Sequence, residues 1–235
     1  MMSMPPRVST TDRVHAQLRE EIMTGQLAGG SLHSIYGLAE RLGVSRTPVR
    51  DAVLRLADAG MVTIERNRGV RIRGVGVHDI REVFEARLLL EVPAAAHAAR
   101  HGSEQLLREL TERVEALTGA VDHHDEREFT RLDRDLHRAI VLSTGNERLA
   151  ELVDSLRDTT QAHGVSTIDR SRSIRDVQVE HVPIVEAIVA RNADAAAALM
   201  RDHLVTTALL LMRQVAAGTG ETAPDAWPSH LVTVE

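Results

Sequence analysis

Apolar residues recur along the chain with helical spacing almost throughout. Val14, Leu18 and Ile22 stand four residues apart between Thr11 and Thr24, which predicts an amphipathic helix. A second short helix is predicted over 35–42, followed by a tight turn at Gly43-Val44. Ser45 suits the N-cap of a third helix, where its hydroxyl accepts an orphan backbone N–H. Pro48 falls in the first turn of that helix, where a missing N–H costs little, and Val49, Val53 and Leu56 mark its inner face. Two short runs, Met61–Arg66 and Val70–Arg73, flank Asn67-Arg68-Gly69 and read as a β-hairpin. Beyond Gly74-Val75-Gly76 only helical periods remain, over about 77–101, 103–122, 125–144, 147–162, 171–190 and 192–216. The expected fold is mainly α. A winged helix-turn-helix with a small β-hairpin wing occupies 8–74, an all-α helical bundle occupies 77–216, and 217–235 is a poorly ordered tail.

Charge sharpens this division. Residues 1–76 carry 11 Arg against 7 acids, whereas 77–235 carry 17 Arg against 27 acids. A basic head on an acidic body suggests a polyanion-binding module joined to something else. Every one of the 28 basic residues is Arg. The chain has no Cys, which excludes disulfide scaffolds, thiolate zinc sites and Cys nucleophiles. Two Phe, one Tyr and one Trp are too few for stacking platforms on single strands. No run of about 18 consecutive apolar residues exists, so no membrane partner is expected, and the N-terminus lacks the layout of a signal peptide. The expected location is the cytoplasm.

In the head, Arg46 and Arg50 lie one turn apart on the outer face of the third helix, beside Thr47. A recognition helix needs long donors at that place, to reach base edges and phosphates. Arg68 sits at the hairpin tip, within reach of an adjacent groove. The string Ala39-Glu40-Arg41-Leu42-Gly43-Val44-Ser45-Arg46-Thr47-Pro48-Val49-Arg50-Asp51-Ala52-Val53 resembles the DNA-binding region of the GntR family of bacterial transcription regulators. Leu56-Ala57-Asp58-Ala59-Gly60-Met61-Val62 and Asn67-Arg68-Gly69-Val70 continue the likeness. The resemblance implies that Ser45, Arg46, Thr47 and Arg50 face double-stranded operator DNA and that Arg68 is a wing contact. The stretch Ser34-Ile35-Tyr36-Gly37 departs from it by lacking charged residues.

The informative residues of the bundle are those that break its apolar stripes. Asp133 and His137 stand among Phe129, Leu132, Leu136 and Ile140; His181 among Val177, Ile184, Val185 and Ile188; His203 among Leu199, Thr206 and Leu210. Four polar groups from three helices would then share one interior, and a buried carboxylate needs compensation. A divalent metal supplies it, with Asp133 and His137 as ligands one turn apart and His181 and His203 closing the site. Arg87 also follows apolar neighbours, Ile80, Val83 and Phe84. It either pairs with Glu91 at i+4 or anchors a carboxylate ligand bidentately.

Glu85-Ala86-Arg87-Leu88-Leu89-Leu90-Glu91, Asp133-Arg134-Asp135-Leu136-His137-Arg138-Ala139-Ile140, Gly145-Asn146, Glu180-His181 and Met200-Arg201-Asp202-His203-Leu204 resemble the FCD ligand-binding domain of the FadR subfamily of GntR regulators. The resemblance implies one Asp and three His as metal ligands, falling on Asp133, His137, His181 and His203. It also implies Arg87 as a contact to an acidic effector. Leu136 stands where Phe is frequent, and Pro183 should kink the helix that carries His181. The expected function is a ligand-responsive, homodimeric transcription regulator that binds a divalent metal (Zn, Ni, Mn or Fe) and a small organic acid. A metalloenzyme with a DNA-binding head is the alternative. It lacks a general base, since Asp135 lies two residues from both Asp133 and His137 on the opposite face, and neither His-Glu-x-x-His nor Glu-x-x-His is present. An architectural dimer without effector is a third class. His33, His78, His97, His101, His123, His124, His163 and His230 fall near turns, helix ends or the tail and receive no role.

Overall fold

The computed structural model describes residues 9–23, 26–161, 165–168 and 170–227. The chain folds as two compact units whose main boundary falls between Val75 and Gly76. The first contains α1 (Thr10–Met23), β1 (Leu32–His33), α2 (Ile35–Leu42), α3 (Arg46–Asp58), β2 (Val62–Glu65) and β3 (Gly69–Ile72). Helices α1 and α2 pack on α3 around buried Val14, Leu18, Ile22, Leu38, Val49, Val53 and Leu56. The wing is a three-stranded antiparallel sheet in the order β1-β3-β2, with Leu32 opposite Arg71 and Val62 opposite Ile72. Strand β1 is an addition to the expected hairpin. At two residues it carries no alternation, and only pairing with β3 makes it a strand. The turn between β2 and β3 places Asn67 at φ 62° and Gly69 at φ 131°. A Cβ at Gly69 would collide with the His33 carbonyl oxygen, so glycine is required there.

Ser34 caps α2 by accepting from the Gly37 N–H at 2.9 Å, and Gly43 ends that helix at φ 65°. Ser45 occupies the N-cap of α3 with extended backbone, but its side chain makes no capping bond, contrary to expectation. The hydroxyl therefore does not serve the helix end.

The second unit holds α4 (Val77–His101), α5 (Glu104–Asp122), α6 (Glu126–Leu142), α7 (Glu147–Gln161), α8 (Ile174–Val189) and α9 (Ala193–Thr219). Side chains of Ser103, Asp125, Ser173 and Asn192 cap α5, α6, α8 and α9. Helix α4 packs on α9, α6 and α8; α8 also packs on α5 and α9. Helix α7 is tied to α6 by Arg134–Asp158, Arg138–Asp154 and Arg157–Asp133. Helix α8 continues through Pro183 to Val189, as the expected helix over 171–190 does. The carbonyl that Pro183 leaves without an amide belongs to Val179, an exposed residue, and Pro93 in α4 does the same to exposed Leu89.

Helix α9 is long and apolar enough, by length and composition, to cross a membrane, which the search for an unbroken apolar run did not anticipate. It includes Arg201 and Asp202, and Ala196, Met200, Leu204, Ala208, Leu211 and Met212 are buried in the unit. The expected tail begins inside this helix. Beyond it, Glu221 accepts from the Val77 N–H at 3.0 Å, and the Trp227 indole donates to Glu85 at 3.3 Å. Residues 228–235, and His163 and His230, lie outside the described residues.

Candidate metal centre and nucleic-acid face

Helices α6, α8 and α9 each turn one polar residue into the core because that residue shares a face with buried aliphatics. His137 lies one turn from Ile140 and Val141, His181 one turn from Ile184 and Val177, and His203 one turn from Met200. The three imidazoles are at least 95% buried. Their ring centroids are 4.7–5.5 Å apart, and one ring nitrogen of each lies within 4.8 Å of the others. Asp133 Oδ1 is 3.1 Å from His181 Nε2 and 3.7 Å from His137 Nε2. The Asp133 side chain is 15% exposed.

Carboxylates fix two of the rings from outside. His137 Nδ1 bonds Glu91 Oε2, and His203 Nδ1 bonds Glu180 Oε2 at 2.7 Å. Each of these bonds leaves Nε2 as the inward nitrogen, the arrangement in which an outer carboxylate orients a metal-binding imidazole. Arginines hold the carboxylates in turn. Arg87 Nε donates to Glu91 Oε1 at 2.6 Å, Arg172 Nη1 donates to both Glu180 oxygens at 2.9 Å, and Arg157 donates to Asp133 Oδ2. The i+4 pairing of Arg87 with Glu91 is thus the arrangement present.

Inside this shell, hydrogen bonding is incomplete. His137 Nε2 and both nitrogens of His181 are buried without a hydrogen-bond partner among the described residues. The approach of His181 to Asp133 is close but lacks hydrogen-bond geometry. Buried polar atoms are rarely left so. Nitrogen and oxygen lone pairs converge instead of facing protons, which suits a cation.

The protonation states agree. Burial lowers the pKa of His137 and takes that of His203 well down, with neighbouring His181 and His137 adding to the latter. Burial alone would raise the Asp133 carboxyl, but Arg157 and the facing histidines outweigh it and hold it well below the usual carboxylate range. Glu91 behaves likewise, with Arg87 and His137 overcoming its burial. At His137 and His203 this favours neutral imidazoles beside a charged Asp133, the state in which such groups ligate a divalent ion. Asp135, by contrast, points outward and pairs with Arg131 at 2.6 Å.

The head presents different chemistry. Ser45, Arg46, Thr47 and Arg50 are all exposed at the start of α3. Arg68 is exposed at the wing tip, 3.0 Å from Glu65. Backbone N–H groups of the first helical turn add to the positive face.

Comparison with known proteins decides the family. Residues 10–72 match the bacterial regulatory proteins of the gntR family, and residues 82–206 match the FCD domain. The chain belongs to the GntR family. This regulator has the FadR-type architecture, a GntR helix-turn-helix followed by an FCD bundle. The regulator McbR of Escherichia coli K12 is 31% identical over 149 residues, 63% of this chain and 67% of McbR. The gluconate operon transcriptional repressor of Bacillus licheniformis is 28% identical over 156 residues, 66% of this chain and 64% of its own length. The structure of E. coli McbR/YncC superposes with a TM-score of 0.59 at 25% identity, over 88% of this chain and 99% of that one. The metal-free FCD domain of TM0439 shares the fold, with a TM-score of 0.51 at 20% identity, over 61% of this chain and 99% of that one. These relatives are transcriptional regulators, and the buried His137, His181 and His203 cluster is consistent with an FCD metal site.

Sequence reasoning missed several residues of the shell. Arg157 shares a face of α7 with buried Ala150, Val153 and Thr160, so it breaks that stripe as His137 breaks its own. Glu180 and Arg172 carry no such signal, because only the packing of α8 on α9 brings them to His203.

Proposed function

We propose that this GntR-family regulator binds operator DNA as a homodimer in the cytoplasm and that its bundle holds one divalent metal ion through Asp133, His137, His181 and His203. Ser45, Arg46, Thr47, Arg50 and Arg68 form the DNA contacts, with Arg50 reading base edges from the recognition helix. The observation that carries the metal reading is the buried, unpartnered nitrogens of His137 and His181 facing a charged Asp133. Glu91 and Glu180 orient two of the ligand rings and thereby fix which nitrogen each offers. When bound, the ion supplies a Lewis-acidic point for the carboxylate of a small organic-acid effector. Zn, Ni, Mn and Fe all suit three imidazoles and one carboxylate. Effector binding changes operator affinity by favouring one arrangement of the dimer.

Equilibrium dialysis of the metal-stripped chain against each ion tests the site. One ion per chain is expected for the wild type and none for His181→Ala. An ion retained equally by both proteins would place the metal elsewhere.

A further inference from the structure

We propose that the bundle's effector is a small dicarboxylate and that Arg157, rather than Arg87, receives its outer carboxylate. This rests on the metal reading above and adds the charge and the receiving residue. The two arginines differ in what remains free. Arg87 is committed, with its Nε on Glu91 at 2.6 Å and its guanidinium carbon 4.8 Å from the centroid of the Phe84 ring. Arg157 engages Asp133 through Nη2, whereas its Nε is buried with no acceptor among the described residues. A guanidinium N–H buried without an acceptor is unfavourable, and a carboxylate is the partner its fork fits. Arg157 is also one carboxylate away from the nitrogen triad, since the other Asp133 oxygen lies 3.1 Å from His181 Nε2.

Charge fixes the class. Around the imidazoles, Arg87, Arg157 and Arg172 pair one for one with Glu91, Asp133 and Glu180. A divalent ion adds two positive charges to an interior that is already balanced. Uncompensated charge in such surroundings is costly, so a bound dianion restores what a monocarboxylate leaves half undone.

Isothermal titration of the zinc-loaded full chain with malonate, acetate and gluconate tests this. Malonate is expected to bind about tenfold tighter, or more, than either monoanion. Arg157→Gln, compared with wild type at matched zinc loading, should erase that preference. Arg157→Lys keeps the charge opposite Asp133 but loses the fork; it should keep zinc and weaken malonate, and it serves if the Gln protein fails to fold. Arg87→Lys should leave the preference in place. Zinc that loads with no discrimination among the three anions, or a preference that survives at Arg157→Lys and Arg157→Gln, overturns the proposal and leaves the metal reading standing. Zinc that never loads defeats both.

Discussion

The head and the bundle keep their functional residues in opposite places. In the head, the core around Val49, Val53 and Leu56 is a cluster of apolar side chains, and the candidate DNA contacts Arg46, Thr47 and Arg50 stand in solvent on the other face of the same helix. Fold and site are separate there. In the bundle, the candidate site is part of the core: His137, His181 and His203 are packed among aliphatics, and Glu91 and Arg157 are buried behind them. A solvent-facing site is free to change without unfolding its scaffold. A buried polar site must satisfy its own desolvation, so its residues carry stability as well as function.

Substitutions that break this contrast should differ in size. The largest effect is expected for Asp133→Ala, which strips Arg157 of its buried partner and the triad of its carboxylate. Losing one member of a buried ion pair costs about 3–5 kcal/mol, so urea unfolding should show a bundle close to its stability limit. Leu18→Ala, in the head's core, should cost about 2–5 kcal/mol for a fully buried leucine and leave metal binding unchanged. Arg50→Ala should alter stability by less than about 0.5 kcal/mol. Operator selectivity, measured by fluorescence anisotropy against random DNA, should fall by about 1–3 kcal/mol of base discrimination. The smallest effect is expected for Asp12→Asn at the exposed Arg55–Asp12 pair. Arg55 and Ser9 hold the Asp12 carboxyl below its ordinary value of 3.8. Its contribution is therefore present above that pH and lost as the carboxylate protonates below it. Thermal scans at neutral and at strongly acidic pH should show the small difference between wild type and variant vanish in acid.

Much of the head was legible because its signals are local. Apolar spacing located α1 and α3, and glycine marked the wing turn. Strand β1 was not legible, since Leu32 and His33 become a strand only by pairing with residues nearly forty positions away. In the bundle, Asp133, His137, His181 and His203 stood out because each interrupts an apolar stripe. Arg157 obeyed the same rule on α7 and could have been read there. Glu180 and Arg172 could not, because Arg172 precedes α8 and reaches Thr207 of α9 only through tertiary packing. The helix over 171–190 was legible despite Pro183, since the carbonyl that Pro183 frees belongs to exposed Val179 and the helix continues past it.

On the proposed reading, the bundle's metal site and its core are one structure. The chain's single tryptophan, Trp227, bonds Glu85 within the bundle and so reports on that unit. The decisive measurement is urea unfolding of the full chain followed by Trp227 fluorescence, metal-stripped and then with zinc at about 100 times its dissociation constant. Mass action on a native-only site predicts a gain of about 2.7 kcal/mol, absent in His181→Ala. A midpoint that zinc leaves unmoved in the wild type would contradict the account.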